Sequence, residues 1–354
     1  MRVLVAPSDA GGCGFYRLIA PSQALADEPN LEITVDVGAS TIMLQSKDGH
    51  VTNVMPLEHD VVVFQRPLDR TIAEAIPFIR ANGTAVVVEL DDDFWHLDKR
   101  HIDWKSLSPG QSPERNYDHL AAACRAADLV TVSTASLARA VPSSKICVLA
   151  NQVPESYLST KVLEDANWDF LGARLVVGWT GSELTHPTDL PVMGDGLVRA
   201  VRKNSAVFLA IGSPNAGSIV GFREGESAYL PWVALDRYPS VIKRLDLGVV
   251  PLQLSVFNES KSYLKGLEYA ALGVPFVASA TSEYRRLAAL GAGTAVEQKH
   301  DWLRAINRVL TDASYRQEQV EGGIETAKTL TYERHSWRWV EAWEKAVTHF
   351  RSGV

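Results

Sequence analysis

Apolar residues along the chain fall into short runs separated by amphipathic stretches of helical length. Runs at 2–6, 61–65, 85–90, 129–133 and 146–149 alternate with stretches such as 21–26, 71–81 and 117–127. Four to six consecutive apolar residues suit a strand buried on both faces, and the stretches between them are long enough for helical crossovers. The first half therefore predicts a doubly wound α/β unit with a parallel sheet. A polar, irregular segment follows at 152–172. A second series of runs then appears at 174–179, 206–211, 247–250 and 275–278. This break predicts one domain over 1–165 and another over 166–330. Beyond about Asp301 the pattern is helical, and the last segment, 331–354, carries SWRWVEAWEKAVTHF. Its Trp339 and Trp343 stand four apart, so they share one helix face suited to burial.

A chain of 354 residues with 46% hydrophobic residues is too long for one ordinary domain and can bury a large core. The opening MRVLVAPSDAGG runs straight into an apolar strand and a glycine turn, unlike a signal peptide. No segment approaches ~18 uninterrupted apolar residues. A cytoplasmic protein without stable membrane insertion is expected. Cys13, Cys124 and Cys147 are odd in number and lack CxxC spacing, which predicts free thiols and no structural metal site. The net charge of −7 is unevenly spread, with 14 Lys+Arg against 22 Asp+Glu over 1–165 and 21 against 20 beyond. An acidic first half argues against a nucleic-acid partner.

The segment 251–279, PLQLSVFNESKSYLKGLEYAALGVPFVAS, carries the densest candidate chemistry. A helix starting near Asn258 or Ser260, capped by either, would present its free N–H groups beside Lys261 and Ser262, an arrangement that attracts anions. Lys261, Lys265 and Glu268 then share one face, and Leu264, Leu267 and Ala271 form an apolar stripe. Glu268 would lie ~10 Å from the helix start, suited to accepting both hydroxyls of a ribose whose phosphates sit at that start. The alternative is a solvated helix with an ordinary Lys265–Glu268 surface pair. The LGVPFVAS loop and strand that follow attach the helix to a parallel sheet, where ligands bind at strand ends.

Other candidates lie at predicted strand ends. The first turn holds Gly11, Gly12 and Gly14, which allow close backbone approach to a ligand. Strand 85–90 runs into Asp91, Asp92 and Asp93, whose mutual repulsion must be relieved by solvent, cations or polar partners. Hard-cation sites need several converging oxygens, so metal is the weakest reading of this cluster. The second series opens with Gly181, Ser182, His186 and Asp189, and Trp232 follows in a later loop, placed either to stack on a ligand or to fill core.

The form FN..KS..K..EYAALGVP resembles the donor-site signature of retaining glycosyltransferases of family 4, in a divergent subgroup marked by its Lys-Ser pair. The resemblance implies the GT-B fold: two Rossmann-like doubly wound domains facing a cleft, the first on the acceptor side, the second holding the nucleotide sugar, with a C-terminal helix crossing back. In that family two glutamates flank a helix start, the second holding ribose and the first touching the donor sugar. Glu268 matches the second, whereas Ser260 stands at the first. By the same resemblance Lys261, Ser262 and Lys265 face the phosphates with Asn258 and Ser260 beside them, and Gly181 and Ser182 approach the phosphates from the second turn. Gly12 and Gly14 face the cleft, with Tyr16 and Arg17 near enough in sequence to join them, Trp232 lies by the base, and Asp91, Asp92, Asp93 and His186 handle sugar or acceptor. The implied activity is transfer of a sugar from a UDP- or GDP-linked donor to a glycan or protein acceptor, with retention and without metal or other cofactor. The alternatives are a nucleotide-sugar epimerase or a catalytically inactive nucleotide-sugar binding protein.

Overall fold

The computed structural model describes residues 1–107, 114–163 and 168–353. The boundary expected at 165/166, like Val354, lies outside the described residues. The first half forms a six-stranded sheet from β1 (Arg2–Ala6), β2 (Glu32–Val35), β3 (Val61–Gln65), β4 (Ala85–Leu90), β5 (Leu129–Val132) and β6 (Ile146–Val148), in the order β2-β1-β3-β4-β5-β6. The second half forms another from β7 (Val176–Thr180), β8 (Val207–Ile211), β9 (Ser227–Leu230), β10 (Leu247–Val250), β11 (Phe276–Ser279) and β12 (Thr294–Val296), in the order β9-β8-β7-β10-β11-β12. Every pairing in both sheets is parallel. All residues of β3 and β4 are buried, as continuous apolar runs require when helices cover both faces.

Within the two six-stranded sheets, the strands that the apolar pattern does not reveal are edge strands. β2, β9 and β12 have three or four residues each and are partly exposed, so neither a buried run nor an alternation is long enough to register. Helical turns over Gly12–Gly14, Phe15–Ile19 and Ala20–Ala24 follow β1 without a break, and the middle one is a π-helical turn that buries Tyr16, Arg17 and Leu18 together. Gly14 is required there, because a Cβ would stand 1.8 Å from the Asp9 carbonyl oxygen.

The helix expected to start at 258–260 is instead two helices. Ser255, in extended conformation, accepts from the Asn258 N–H at 3.1 Å and caps α1 (Val256–Glu259). Ser260 closes α1, turning its hydroxyl back to the Val256 carbonyl at 3.2 Å. The chain turns through Lys261 and Ser262 before α2 (Leu264–Ala271) begins. Glu268 consequently lies ~6 Å along its helix rather than 10.

α3 (Ala313–Lys328) packs on α2, and α4 (Trp337–Ser352) runs against β4 and β5 of the first sheet. Trp339 Nε1 donates to the Arg17 carbonyl at 3.1 Å, and the Tyr332 hydroxyl donates to the Tyr16 carbonyl. One apolar core joins residues of both sheets to Trp339 and Trp343. Among the described residues no helix is long and apolar enough to cross a membrane. Trp343→Ala should cost about 3–5 kcal/mol in urea denaturation through the cavity it leaves, whereas the half-exposed Trp337→Ala should cost under ~1 kcal/mol. Equal losses would mean that the α4 stripe is not seated in the core.

Candidate functional site

A cavity of about 500 Å³ opens between the two sheets at the C-terminal ends of their strands. Loops after β1, β4, β7 and β10 line it, so its walls come from both halves. In the second sheet it adjoins the boundary between β7 and β10, where successive crossovers diverge and leave a crevice.

The three aspartates after β4 do not share a solvated loop, because each has its own partner. Asp91 forms a two-pronged pair with Arg66, with both N–O distances 2.6 Å. Asp92 accepts from Lys261 Nζ at 2.8 Å across the cleft. Asp93 is fully buried and turns away from the cavity, meeting His96 Nδ1 at 2.9 Å, the Trp95 N–H at 3.1 Å and the Ser260 hydroxyl at 3.3 Å. Burial raises the Asp92 carboxyl, but Lys261 and then Arg66 more than offset it and hold it at about 2.

On α2, Lys265 and Glu268 form a pair at the cavity wall in which the carboxylate is buried and the lysine partly exposed. Glu268 is 1% exposed, and its Oε2 lies 2.8 Å from Lys265 Nζ. The Tyr238 hydroxyl closes the group, accepting from Lys265 Nζ at 2.7 Å and donating to Glu268 Oε2 at 3.3 Å. Burial opposes the charge on Lys265, and Glu268 restores it, so the ammonium stays protonated. Ser262 accepts from Asn151 Nδ2 at 2.7 Å.

The other expected residues divide into three groups. Gly12, Gly181, Ser182, His186 and Trp232 line the cavity with Asp91, Asp92, Lys261, Ser262, Lys265 and Glu268. Trp232 is 58% exposed and lies over Gly212, where a Cβ would come within 2.6 Å of the indole. Gly14 and Ser260 are buried behind the cavity, as is Asp93. Asn258 is also buried, donating from Nδ2 to Asp189 Oδ1 at 2.7 Å and to the Gln253 carbonyl at 2.9 Å, and it faces a neighbouring cavity instead. Asp189 fixes His186 as well, through Nδ1 at 2.7 Å.

Arg17, near enough in sequence to the first glycine turn to join it, takes part in the site, and so does Tyr238, which sequence reasoning passes over. Arg17 is 1% exposed and lines the cavity, with Nε on Glu89 at 2.7 Å and Nη1 on the Leu149 carbonyl and Asn151 Oδ1, both at 2.6 Å. Its Nη2 has no partner. A buried guanidinium with one nitrogen unsatisfied beside a cavity is equipped to donate to a ligand oxygen. Its position in the helix after a glycine turn is the one signal in the sequence, and Tyr238 leaves none. Among the described residues no group of three or more His, Cys, Asp or Glu is placed to hold a metal ion. The described cysteines are free thiols.

No family model and no curated protein sequence matches the chain. Solved structures do. Anabaena HepE in complex with UDP and glucose superposes with a TM-score of 0.65 at 13% identity, over 97% of this chain and 99% of that one. Sucrose-phosphate synthase from Thermosynechococcus elongatus gives 0.64 at 13% identity, over 98% and 99%. The E. coli trehalose-6-phosphate protein bound with UDP-2-fluoro glucose gives 0.62 at 10% identity, over 97% and 99%. At these identities the likeness is one of fold, and the chain has the GT-B glycosyltransferase fold.

Because the folded-state pKa of Asp92 is depressed, its contribution is present above the ordinary 3.8 and is lost as pH falls toward about 2. The stability difference between the wild type and Asp92→Asn, roughly 2 kcal/mol near neutrality, should shrink over that window in urea titrations. A difference independent of pH would show that the Asp92–Lys261 pair adds nothing to stability.

Proposed function

We propose that this chain is a glycosyltransferase that moves a sugar from a nucleotide diphosphate sugar to a glycan or protein acceptor, in the cytoplasm and with retention of anomeric configuration. The observation that carries this reading is the gathering of Lys261, Ser262, Lys265, Glu268 and the unsatisfied Arg17 Nη2 in one cavity at the β7–β10 crevice of a GT-B fold. Solved neighbours of that fold hold UDP, UDP-glucose or a fluorinated analogue, which favours a UDP-linked donor over a GDP-linked one.

In this reading the diphosphate sits against Lys261, Ser262 and Arg17, and the ribose hydroxyls donate to Glu268. The base lies against the open face of Trp232. Asp92 occupies Lys261 when no donor is bound, so the incoming diphosphate takes over an existing ion pair rather than meeting a bare cation. As the acceptor oxygen bonds to the anomeric carbon from the leaving group's own face, the bond from that carbon to the phosphate oxygen breaks, negative charge grows on the leaving diphosphate, and its freed oxygen takes the acceptor hydroxyl's proton. Cations and N–H groups already held in place by the fold stabilise that charge without reorganising. Ser260, standing where the resemblance expects a sugar-binding glutamate, is buried against Asp93, so sugar contacts fall to Asp91, Asp92 and His186. No side chain is assigned as a covalent nucleophile, and no metal takes part.

Glu268→Gln should lower UDP-glucose affinity by roughly 10- to 100-fold in calorimetry, the loss of one or two hydrogen bonds to a charged group. Unchanged affinity would remove the ribose assignment. Incubation with labelled nucleotide sugars tests the activity itself: hydrolysis or transfer supports it, while interconversion of sugars or binding without turnover overturns it.

A further inference from the structure

A second cavity, of about 480 Å³, adjoins the first and shares His101, Thr185 and His186 with it as a common wall. Its chemistry differs from that of its neighbour. The larger cavity is lined by Arg17, Arg66, Lys261 and Lys265. The second contains one arginine, Arg100, and Asp98 neutralises it through two contacts of 2.9 Å. Its buried carboxylate, Asp189, is taken up by Asn258, the Gln253 N–H and His186. His96 is held by Asp93. Among the described residues lining this space, each charged side chain has a hydrogen-bonded partner.

What it offers a ligand is hydrogen bonding. Both acceptors on Asn258 Nδ2 fix the orientation of that amide, and its buried Oδ1 is left without a partner. His186 Nδ1 donates to Asp189 Oδ2, so in the neutral ring Nε2 is the acceptor. His101 has the opposite tautomer: its Nδ1 accepts from the Asp103 N–H at 3.1 Å, which leaves a proton on Nε2. Burial, outweighing Asp103, keeps that imidazole neutral. The wall between the cavities thus carries one acceptor and one donor, and Pro187, Pro191 and Phe257 supply apolar surface.

Resting on the reading of the larger cavity as the donor site, we propose that this second cavity binds a neutral sugar, the glycosyl acceptor, with the reacting hydroxyl held at the His101–His186 wall. An acceptor bearing phosphate or carboxylate would find no unpaired cation among the described residues there. Alternating hydrogen-bond groups and small apolar faces match the hydroxyl and C–H surfaces of a pyranose. The site therefore selects a glycan over a protein side chain.

The test is saturation-transfer NMR on the full chain with a panel of neutral mono- and disaccharides and their phosphorylated and uronic-acid counterparts, alongside UDP calorimetry. Thr188 lines the second cavity and not the larger one, and Thr188→Trp places an indole in that space. At least one neutral sugar should bind the wild type and lose tenfold or more of its affinity in Thr188→Trp, while UDP affinity stays the same and reports that the variant is folded. Absence of neutral-sugar binding, preference for the anionic counterparts, or binding indifferent to Thr188→Trp would each overturn the assignment. If neutral sugars behave as expected and UDP does not bind the wild type, the donor reading fails and this site stands. If UDP binds and no neutral sugar does, the reverse holds.

Discussion

The contact on which the cleft depends is the junction between the loops that follow β4, β5 and β6 and the turn between α1 and α2. Lys261 meets Asp92 at 2.8 Å, Ser260 meets Asp93 at 3.3 Å, the Thr134 hydroxyl donates to the Ser260 carbonyl at 2.8 Å, and Asn151 holds Ser262 at 2.7 Å. These four contacts tie the two sheets together at the place where the candidate donor groups stand. An ion pair this secluded does little for stability relative to an apolar contact, since desolvation offsets much of its Coulomb energy. Its importance lies in position: a group that binds an anionic ligand is kept charged and oriented by a partner that a ligand can replace.

Behind this junction sits a second buried charge system. Arg17 and Glu89 pair at 2.7 Å, Thr131 donates to the same carboxylate, and α4 covers the arginine from below with Trp339, whose ring lies 5.8 Å from the guanidinium carbon. Burial opposes the charge on Arg17, and Glu89 sustains it. The helix that returns from the end of the chain thereby supports a cation at the cleft floor, and packing at one extremity is coupled to the chemistry in the middle.

Much of the architecture was legible because it follows from burial. Apolar runs marked the inner strands of both sheets, and the Trp339–Trp343 spacing marked a face that is buried. Edge strands were not, since residues half in water carry no strong pattern. The helix start was misplaced because Asn258, Ser260 and Ser255 are all competent caps. Only the backbone geometry at Ser255, extended and three residues before a free N–H, decides among them.

The sequence by itself determined the two α/β series, the order of chemical groups along the chain and the presence of Lys261, Ser262, Lys265 and Glu268 within one short segment. Tertiary structure decided which groups meet. It paired each aspartate separately, turned Asp93, Ser260 and Asn258 away from the larger cavity, buried Arg17 with one nitrogen unsatisfied and set His101 against His186. The physical reason is that local pattern reports how each residue meets water. The partners of a buried polar group come from remote segments, here 72 residues away for Arg17–Glu89 and 169 for Asp92–Lys261, and no local periodicity encodes them.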